Sequence, residues 1–252
     1  MAENTKIEWC NHTFNPWIGC QKVSPGCDCC YAEAQNAFRK WNGGKWGPHA
    51  PRTRTSIENW KGPKKWARAA ALTGKRSVVF CASLADWLDN RVPRQWREDL
   101  AALIEATPEL DWLLLTKRIE NFVRLAPWRR DAVPQHVWIG ITCEDQEYLD
   151  RRWQYLREID AYRFISYEPA LGPLILGDAR PDWLLCGGES GAGARYMDPA
   201  WARSIRDQCA AKGIAFFMKQ MTKKRPIPGD LFVRQFPNGG SKGRREGEHV
   251  TC

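Results

Sequence analysis

A chain of 252 residues that is 43% hydrophobic is long enough to bury a full core and suits one sizeable domain, which excludes dependence on a disulfide framework. The N-terminal residues 1–8 lack a basic-then-apolar signal pattern, and no apolar run approaches the roughly 20 residues that cross a bilayer, so the expectation is a cytoplasmic protein without a membrane partner. The net charge of +9 is concentrated: residues 39–76 hold eleven Lys or Arg against Glu58 alone, so that segment carries +10 and the rest is close to neutral.

Residues 5–18, with aromatic and β-branched side chains, predict a short first strand. It feeds a loop at 19–31, punctuated by Pro25 and Gly26, where four of the ten cysteines fall within eleven residues. Residues 31–40 predict a helix with Tyr31, Ala34 and Phe38 on one face. The Gly-, Pro-, Trp- and base-rich stretch 41–62 has neither helix nor strand period and predicts a long functional loop. A short basic helix follows at 64–71, ended by Gly74.

Apolar runs of strand length then recur at 77–81, 112–116, 137–142, 163–167, 183–186 and 214–218. Helical patterns lie between most of them, at 94–106, 119–125, 145–159 and 199–212; Asp198-Pro199 starts the last and Gly213 ends it. Continuous apolar strands alternating with amphipathic helices imply a parallel sheet covered on both faces. The expected fold is α/β, a partial or closed (βα) barrel of about six to seven parallel strands, with a doubly wound open sheet as the competing layout. The basic Trp-rich insertion at 39–76 follows the first helix, all within one domain at 1–236, and a mobile polar tail occupies 237–252.

The strand ends favour the barrel. Ser83 and Asp86, Thr116-Lys117-Arg118, Thr142 and Glu144, Tyr167-Glu168, Gly187-Gly188-Glu189-Ser190 and Lys219-Gln220 all follow strands. In a βα barrel those ends open on the face where sites are built. Lys117, Glu168 and Glu189 stand out as site candidates, and the cysteine loop belongs to the same face.

Clustered thiolates select iron-sulfur clusters, zinc or Cu(I) over hard cations. A four-thiolate zinc site is conceivable, but the adjacent Cys29 and Cys30 make tetrahedral closure awkward, and no second ligand pair follows. Cys20, Cys27 and Cys30 form the more natural set. Three thiolates on a four-iron cluster leave one iron open for chemistry.

Three cysteines after the first strand of a βα barrel resemble the radical S-adenosylmethionine superfamily. The resemblance implies a [4Fe-4S] cluster on Cys20, Cys27 and Cys30, S-adenosylmethionine on the open iron, a 5′-deoxyadenosyl radical, and a reductant such as a flavodoxin or ferredoxin. More closely, Asn15-Pro-Trp-Ile-Gly-Cys20 and Val23-Ser-Pro-Gly-Cys27-Asp-Cys-Cys30-Tyr-Ala-Glu33 resemble a phage and prophage family of poorly assigned function with a three-cysteine motif. Leu113-Leu-Leu-Thr-Lys117-Arg118, Phe164-Ile-Ser-Tyr-Glu168-Pro169, Gly187-Gly-Glu-Ser-Gly191 and Phe216-Phe-Met-Lys219-Gln220 match it as well. The resemblance assigns Gly187, Gly188, Glu189 and Ser190 to the cofactor, with Tyr31, Thr142 and Glu144 beside them, and Lys117, Tyr167 and Glu168 to the reaction face. Two features depart from the commonest superfamily pattern, Cys-x3-Cys-x2-Cys with an aromatic before the third cysteine. Here the first gap is six residues and Tyr31 follows the third, and the Gly-Gly-Glu run comes after a late strand.

Cations interleaved with Trp41, Trp46, Trp60 and Trp66 combine phosphate neutralisation with stacking surfaces. Arg52, Arg54, Lys61, Lys64, Lys65 and Arg68 are therefore candidate nucleic-acid contacts; alternatively the tryptophans pack the insertion onto the barrel. The expected function is modification or repair of a nucleic-acid base or nucleotide, with phage DNA hypermodification implied by the resemblance. The alternatives are a non-catalytic metal-stabilised nucleic-acid-binding module and a radical enzyme acting on a small molecule or peptide.

Overall fold

The computed structural model describes residues 3–191 and 193–237; the expected tail, apart from Pro237, lies outside the described residues. Seven parallel strands form one curled sheet. In spatial order they are β1 (His12–Phe14), β4 (Ser77–Cys81), β5 (Leu110–Thr116), β6 (Val137–Thr142), β7 (Tyr162–Tyr167), β8 (Trp183–Gly187) and β9 (Ala215–Gln220). Neighbours follow chain order throughout, as successive right-handed βα units require, and β1 and β9 are the two open edges, so the partial form of the barrel is the one adopted.

Alternation along the strands builds two cores. On the helix-covered side Val79, Trp112, Leu114, Ile139, Ile165 and Leu184 belong to the larger apolar cluster. On the concave side Phe80, Leu113, Trp138, Phe164, Trp183 and Phe217 pack with Trp9. Trp9 lies 4.6 Å from the Phe80 ring and 6.3 Å, edge-on, from Trp183. Glu8 pairs with Arg234 at 3.0 Å. The N-terminal segment thus crosses between the two open sides of the sheet and fills the floor of the half-barrel.

Gly140 sits at the centre of this concave face under the Phe164 ring, where an added Cβ would lie 2.2 Å from Cζ. The ring has nowhere to go in a packed interior. Gly140→Ala is expected to lower stability by about 1–3 kcal/mol, read as a lower denaturant midpoint at unchanged slope.

The first strand is shorter than the 5–18 expected. Pro16 supplies no amide hydrogen for the ladder, and β2 (Trp17–Ile18) turns away to pair antiparallel with β3 (Thr53–Arg54). The helix expected at 31–40 forms as α1 (Tyr31–Arg39), but its buried residues are Ala32 and Asn36. Tyr31 and Phe38 are exposed instead. The inward face is polar because Asn36 Nδ2 donates to Asn42 Oδ1 and to Lys45 O, holding the following loop.

The insertion is more regular than its composition suggests. α2 (Ile57–Thr73) begins seven residues before the expected basic helix. Ser56 caps it by accepting from the Asn59 amide, and Gly74, at φ 66°, closes it. Burial of Trp66 and the Phe14–Trp60 edge contact at 5.5 Å hold it on the sheet despite Pro63. The remaining helices are α3 (Arg94–Glu105), α4 (Phe122–Leu125), α5 (Gln146–Leu156) and α6 (Pro199–Lys212). Asp198 caps α6 as the sequence pattern implies, and Asp145 caps α5 in the same way. Among the described residues no helix is long and apolar enough to cross a membrane.

Candidate active site

The C-terminal ends of the strands surround a cleft of about 220 Å³ whose lining includes Cys20, Cys27, Cys29 and Cys30. Lys117, Thr142, Glu168, Gly188, Glu189, Ser190 and Tyr31 line it as well. Strand alternation explains the selection: Thr142 and Glu168 lie an even number of residues from the concave-side Trp138 and Phe164, and Lys117 from Leu113. By the same rule Tyr167 falls on the helix side. It is wholly buried there, with its hydroxyl donating to Gly172 O. This corrects the placement of Tyr167 on the reaction face.

Glu144 is also out of the cleft, fully buried behind the cysteine loop. Lys117 Nζ approaches its Oε1 at 3.0 Å and Arg152 Nη1 its Oε2 at 2.7 Å. Ser24 Oγ donates to Oε1 at 2.5 Å. Burial opposes ionisation of this carboxyl, but the Lys117 and Arg152 cations outweigh it and hold Glu144 below the usual carboxylate range. Glu144 is thus a buried anchor for the loop rather than a cofactor contact. Gly26 is required above it, since a Cβ there would fall 2.5 Å from Glu144 Oε1.

A second tie involves Arg118, which pairs with Asp86 at 2.8 Å and donates to Gln21 O at 2.7 Å and to Cys20 Sγ at 3.5 Å. Asp86 is itself fixed by the Thr116 hydroxyl and the Lys117 amide. Burial pushes the Cys20 thiol up to about 12, with Arg118 pulling the other way. Burial likewise raises the Cys30 thiol. A third tie is Arg195, which donates to both Glu189 oxygens and to Pro25 O. One buried carboxylate, Glu144, and two cations, Arg118 and Arg195, therefore clamp the cysteine loop onto the strand ends.

Gly187 and Gly188 do not form an open cradle. A Cβ on Gly188 would lie 2.6 Å from the Thr222 amide nitrogen, and one on Gly187 would lie 3.2 Å from Glu168 Oε2. The Gly188 amide already donates to Gln220 O, while Gly188 O accepts from Gln220 Nε2. These glycines allow β8 and the chain after β9 to approach closely, and Gly187 does not line the cleft. Opposite them, Lys219 Nζ contacts Glu168 Oε2 at 2.5 Å inside the cleft.

The basic insertion divides. Arg52 is buried, with Nε 2.6 Å from Asp89 Oδ2 and Nη1 donating to Gly47 O and Ala50 O. That removes it from the candidate phosphate contacts, because a guanidinium so enclosed reaches no solvent-borne ligand. Arg54 pairs with Asp99 and lies 4.3 Å over the Trp60 ring. Lys61, Lys64, Lys65 and Arg68 are exposed on α2, and none lines the cleft. Trp60 and Trp66 pack the insertion down, Trp66 stacking on His12 at 4.3 Å. Only Trp46 of the four tryptophans lines the cleft.

All four cleft cysteines are free thiols. Each carboxylate lining the cleft is already paired: Asp86 with Arg118, Glu168 with Lys219, Glu189 with Arg195. The available donors are thus sulfur alone, the set that suits an iron-sulfur cluster. Among the described residues no three His, Cys, Asp or Glu side chains close on one ion-sized point.

A family profile described as "Protein of unknown function (DUF5131)" matches residues 4–236. The chain belongs to that family. No curated protein matches. Solved structures of spore photoproduct lyase share the fold. One, a doubly substituted form with bound AdoMet and dinucleoside spore photoproduct, has a TM-score of 0.52 at 10% identity, covering 85% of this chain and 78% of that one. A second, with a tyrosine-to-phenylalanine substitution, has a TM-score of 0.51 at 10% identity, covering 87% and 78%. The likeness extends over most of both chains and establishes a common architecture.

Sequence reasoning gave no role to two residues that line the cleft, Arg118 and Lys219, or to two that brace its cysteine loop, Ser24 and Arg195. Lys219 and Arg118 had a signal, as polar residues at strand ends. Ser24 had only its place in the loop, and Arg195 had none, because nothing local ties it to a carboxylate and a carbonyl on separate loops.

Proposed function

We propose that this chain is a radical S-adenosylmethionine enzyme that acts on a nucleic-acid base or nucleotide. The observation that carries the reading is the convergence of Cys20, Cys27 and Cys30 on one cleft at the strand ends, with no unpaired carboxylate among them. A shared fold with a lyase that holds AdoMet and a dinucleoside photoproduct supports the same cofactor and substrate class here. When bound, the cluster and S-adenosylmethionine would supply an electron and a hydrogen-abstracting 5′-deoxyadenosyl radical.

The chain's own residues position and enclose. Cys20, Cys27 and Cys30 would hold the cluster, and Arg118 steadies Cys20 through its sulfur. Tyr31, Thr142, Glu189 and Ser190, which line the cleft, would supply polar contacts for the cofactor. Tyr31 is fixed for this by donating its hydroxyl to Ser83 O at 2.6 Å. Lys117 and the Lys219–Glu168 pair would face the reacting group from the cleft wall. The aromatic floor of Trp9 and Phe80 keeps bulk water from that end. A base in a duplex would have to leave the stack to reach this depth. Hypermodification of phage DNA is one reaction of this class.

Anaerobic reconstitution with iron and sulfide, then reduction in the presence of S-adenosylmethionine and an oligonucleotide, tests the reading. A brown protein that releases 5′-deoxyadenosine and changes a nucleoside in the digest by mass spectrometry is expected. A colourless zinc protein inert to S-adenosylmethionine would end it.

A further inference from the structure

The cations that the sequence brings forward most strongly are not those nearest the cleft. On α2, Lys61 is paired with Glu58 and Lys65 with Glu3. Five other cations lie next to cleft-lining residues in sequence, on three separate loops. Lys22 follows Gln21 in the cysteine loop, Lys45 precedes Trp46, and Lys223, Lys224 and Arg225 follow Lys219 and Gln220 of β9. All five are exposed, and none forms an ion pair among the described residues. The carboxylates lining the cleft are each neutralised internally, so this rim is left positive.

The loops are fixed to the cleft. The Gly47 amide donates to Cys20 O at 3.0 Å, joining the Lys45 loop to the cysteine loop. The Lys223 amide donates to Glu189 O at 2.8 Å. Thr222 Oγ1 donates to Arg195 O and accepts from the Met197 amide. Within this pinned turn, Lys223 and Lys224 both adopt left-handed backbone, at φ 56° and 53°. Two successive non-glycine residues there cost conformational energy that a merely solvated turn has no need to store.

We propose that Lys22, Lys45, Lys223, Lys224 and Arg225 track the phosphates of a single-stranded nucleic acid whose base enters the cleft, with Trp46 as a stacking surface at its lip. The proposal rests on the nucleic-acid reading above and moves the binding surface from α2 to the mouth. The cleft lies among the strand ends and the cysteine loop, where a base enters only after leaving the stack, and cations on three loops exceed what one nucleotide's phosphate engages. Spaced cations with an aromatic platform are what a strand requires.

The test is fluorescence anisotropy of a short labelled single-stranded oligodeoxynucleotide of mixed sequence, with RNA of the same sequence as a second arm, over a range of salt concentrations. The full chain carrying Lys223→Gly and Lys224→Gly is expected to bind about tenfold more weakly at moderate salt, with the slope of log K against log salt reduced by about 1.4 for two lost contacts. Glycine suits positive φ, so melting temperature should hold or rise in the same variant, separating lost charge from lost fold. A Lys61→Gln, Lys64→Gln, Arg68→Gln variant on α2 should stay within about twofold of the parent. Unchanged affinity in the rim variant, or loss carried by the α2 variant, overturns the proposal. Reductive cleavage of S-adenosylmethionine, measured separately, distinguishes the two readings. Cleavage without strand binding removes the rim and leaves the radical chemistry. Strand binding through the rim without cleavage does the reverse.

Discussion

Replacing any one of Cys20, Cys27 or Cys30 by Ala is expected to abolish stable cluster loading and, with it, all reductive cleavage of S-adenosylmethionine. The reconstituted parent should carry about four irons per chain. The two remaining cluster thiolates are too few to keep such a cluster against chelator, because Cys29 is held at Gly193 O and the neighbouring carboxylates are committed to Arg118, Lys219 and Arg195, so none substitutes. Cys29→Ser is expected to retain iron and cleavage. Although Cys29 lines the cleft, its Sγ donates to Gly193 O at 3.4 Å, a contact to the loop after β8 that serine can reproduce. Loading would also release protons, since burial keeps the Cys20 thiol protonated well above neutral pH until a metal binds it. Iron content, the visible absorption of the cluster and 5′-deoxyadenosine yield read the result together. Equal loss of iron in Cys29→Ser, or retention of about four irons after loss of Cys27, would refute the three-thiolate assignment.

The sheet was legible because its strands are buried on both faces and read as uninterrupted apolar runs; even Gly140, under Phe164, did not disguise β6. The cysteine loop and the strand-end residues Lys117 and Glu168 followed from the same pattern, since a parallel sheet gathers its C-terminal ends. Errors arose where tertiary packing overrode local composition. Trp60 and Trp66 fitted both stacking platforms and packing of the insertion, and they hold α2 against Phe14 and His12. Gly62 and Pro63 made the first turns of the same helix read as loop, so that only its 64–71 part was expected. Arg52 counted as one more cation until Asp89, 37 residues away in sequence, enclosed it. Tyr167 and Glu168 are adjacent in sequence but face opposite sides of β7, so period two separates a core phenol from a cleft carboxylate. Glu144 required three partners from three different elements, which no window of sequence contains.

Glu144→Ala should be the most destabilising single change near the site. It would leave Arg152, 2% exposed, and Lys117 without their shared carboxylate, and stranding buried charge in this way costs about 3–5 kcal/mol. For a domain of this size the melting temperature should fall by roughly 10 °C. Glu144→Gln keeps the volume and an acceptor for Ser24, so a smaller loss is expected, and its pH dependence identifies the cause. The folded carboxyl lies below the ordinary carboxylate value of 4.5. Its contribution is therefore fully present above that value and is lost as pH falls through the folded-state pKa, where the unfolded chain binds the proton first. Parent and Glu144→Gln should differ most near neutral pH and converge in acid, as measured by denaturant unfolding across that range. A constant gap would mean that packing alone supports the loop. Because Ser24 donates to Glu144 and Gly26 leaves room for it, the loss at Glu144 should also reach the cysteines, lowering iron loading at temperatures where the variant is still folded. Normal loading in a folded Glu144→Ala protein would show that Arg118 and Arg195 suffice to hold the loop, and that the buried carboxylate serves the sheet alone.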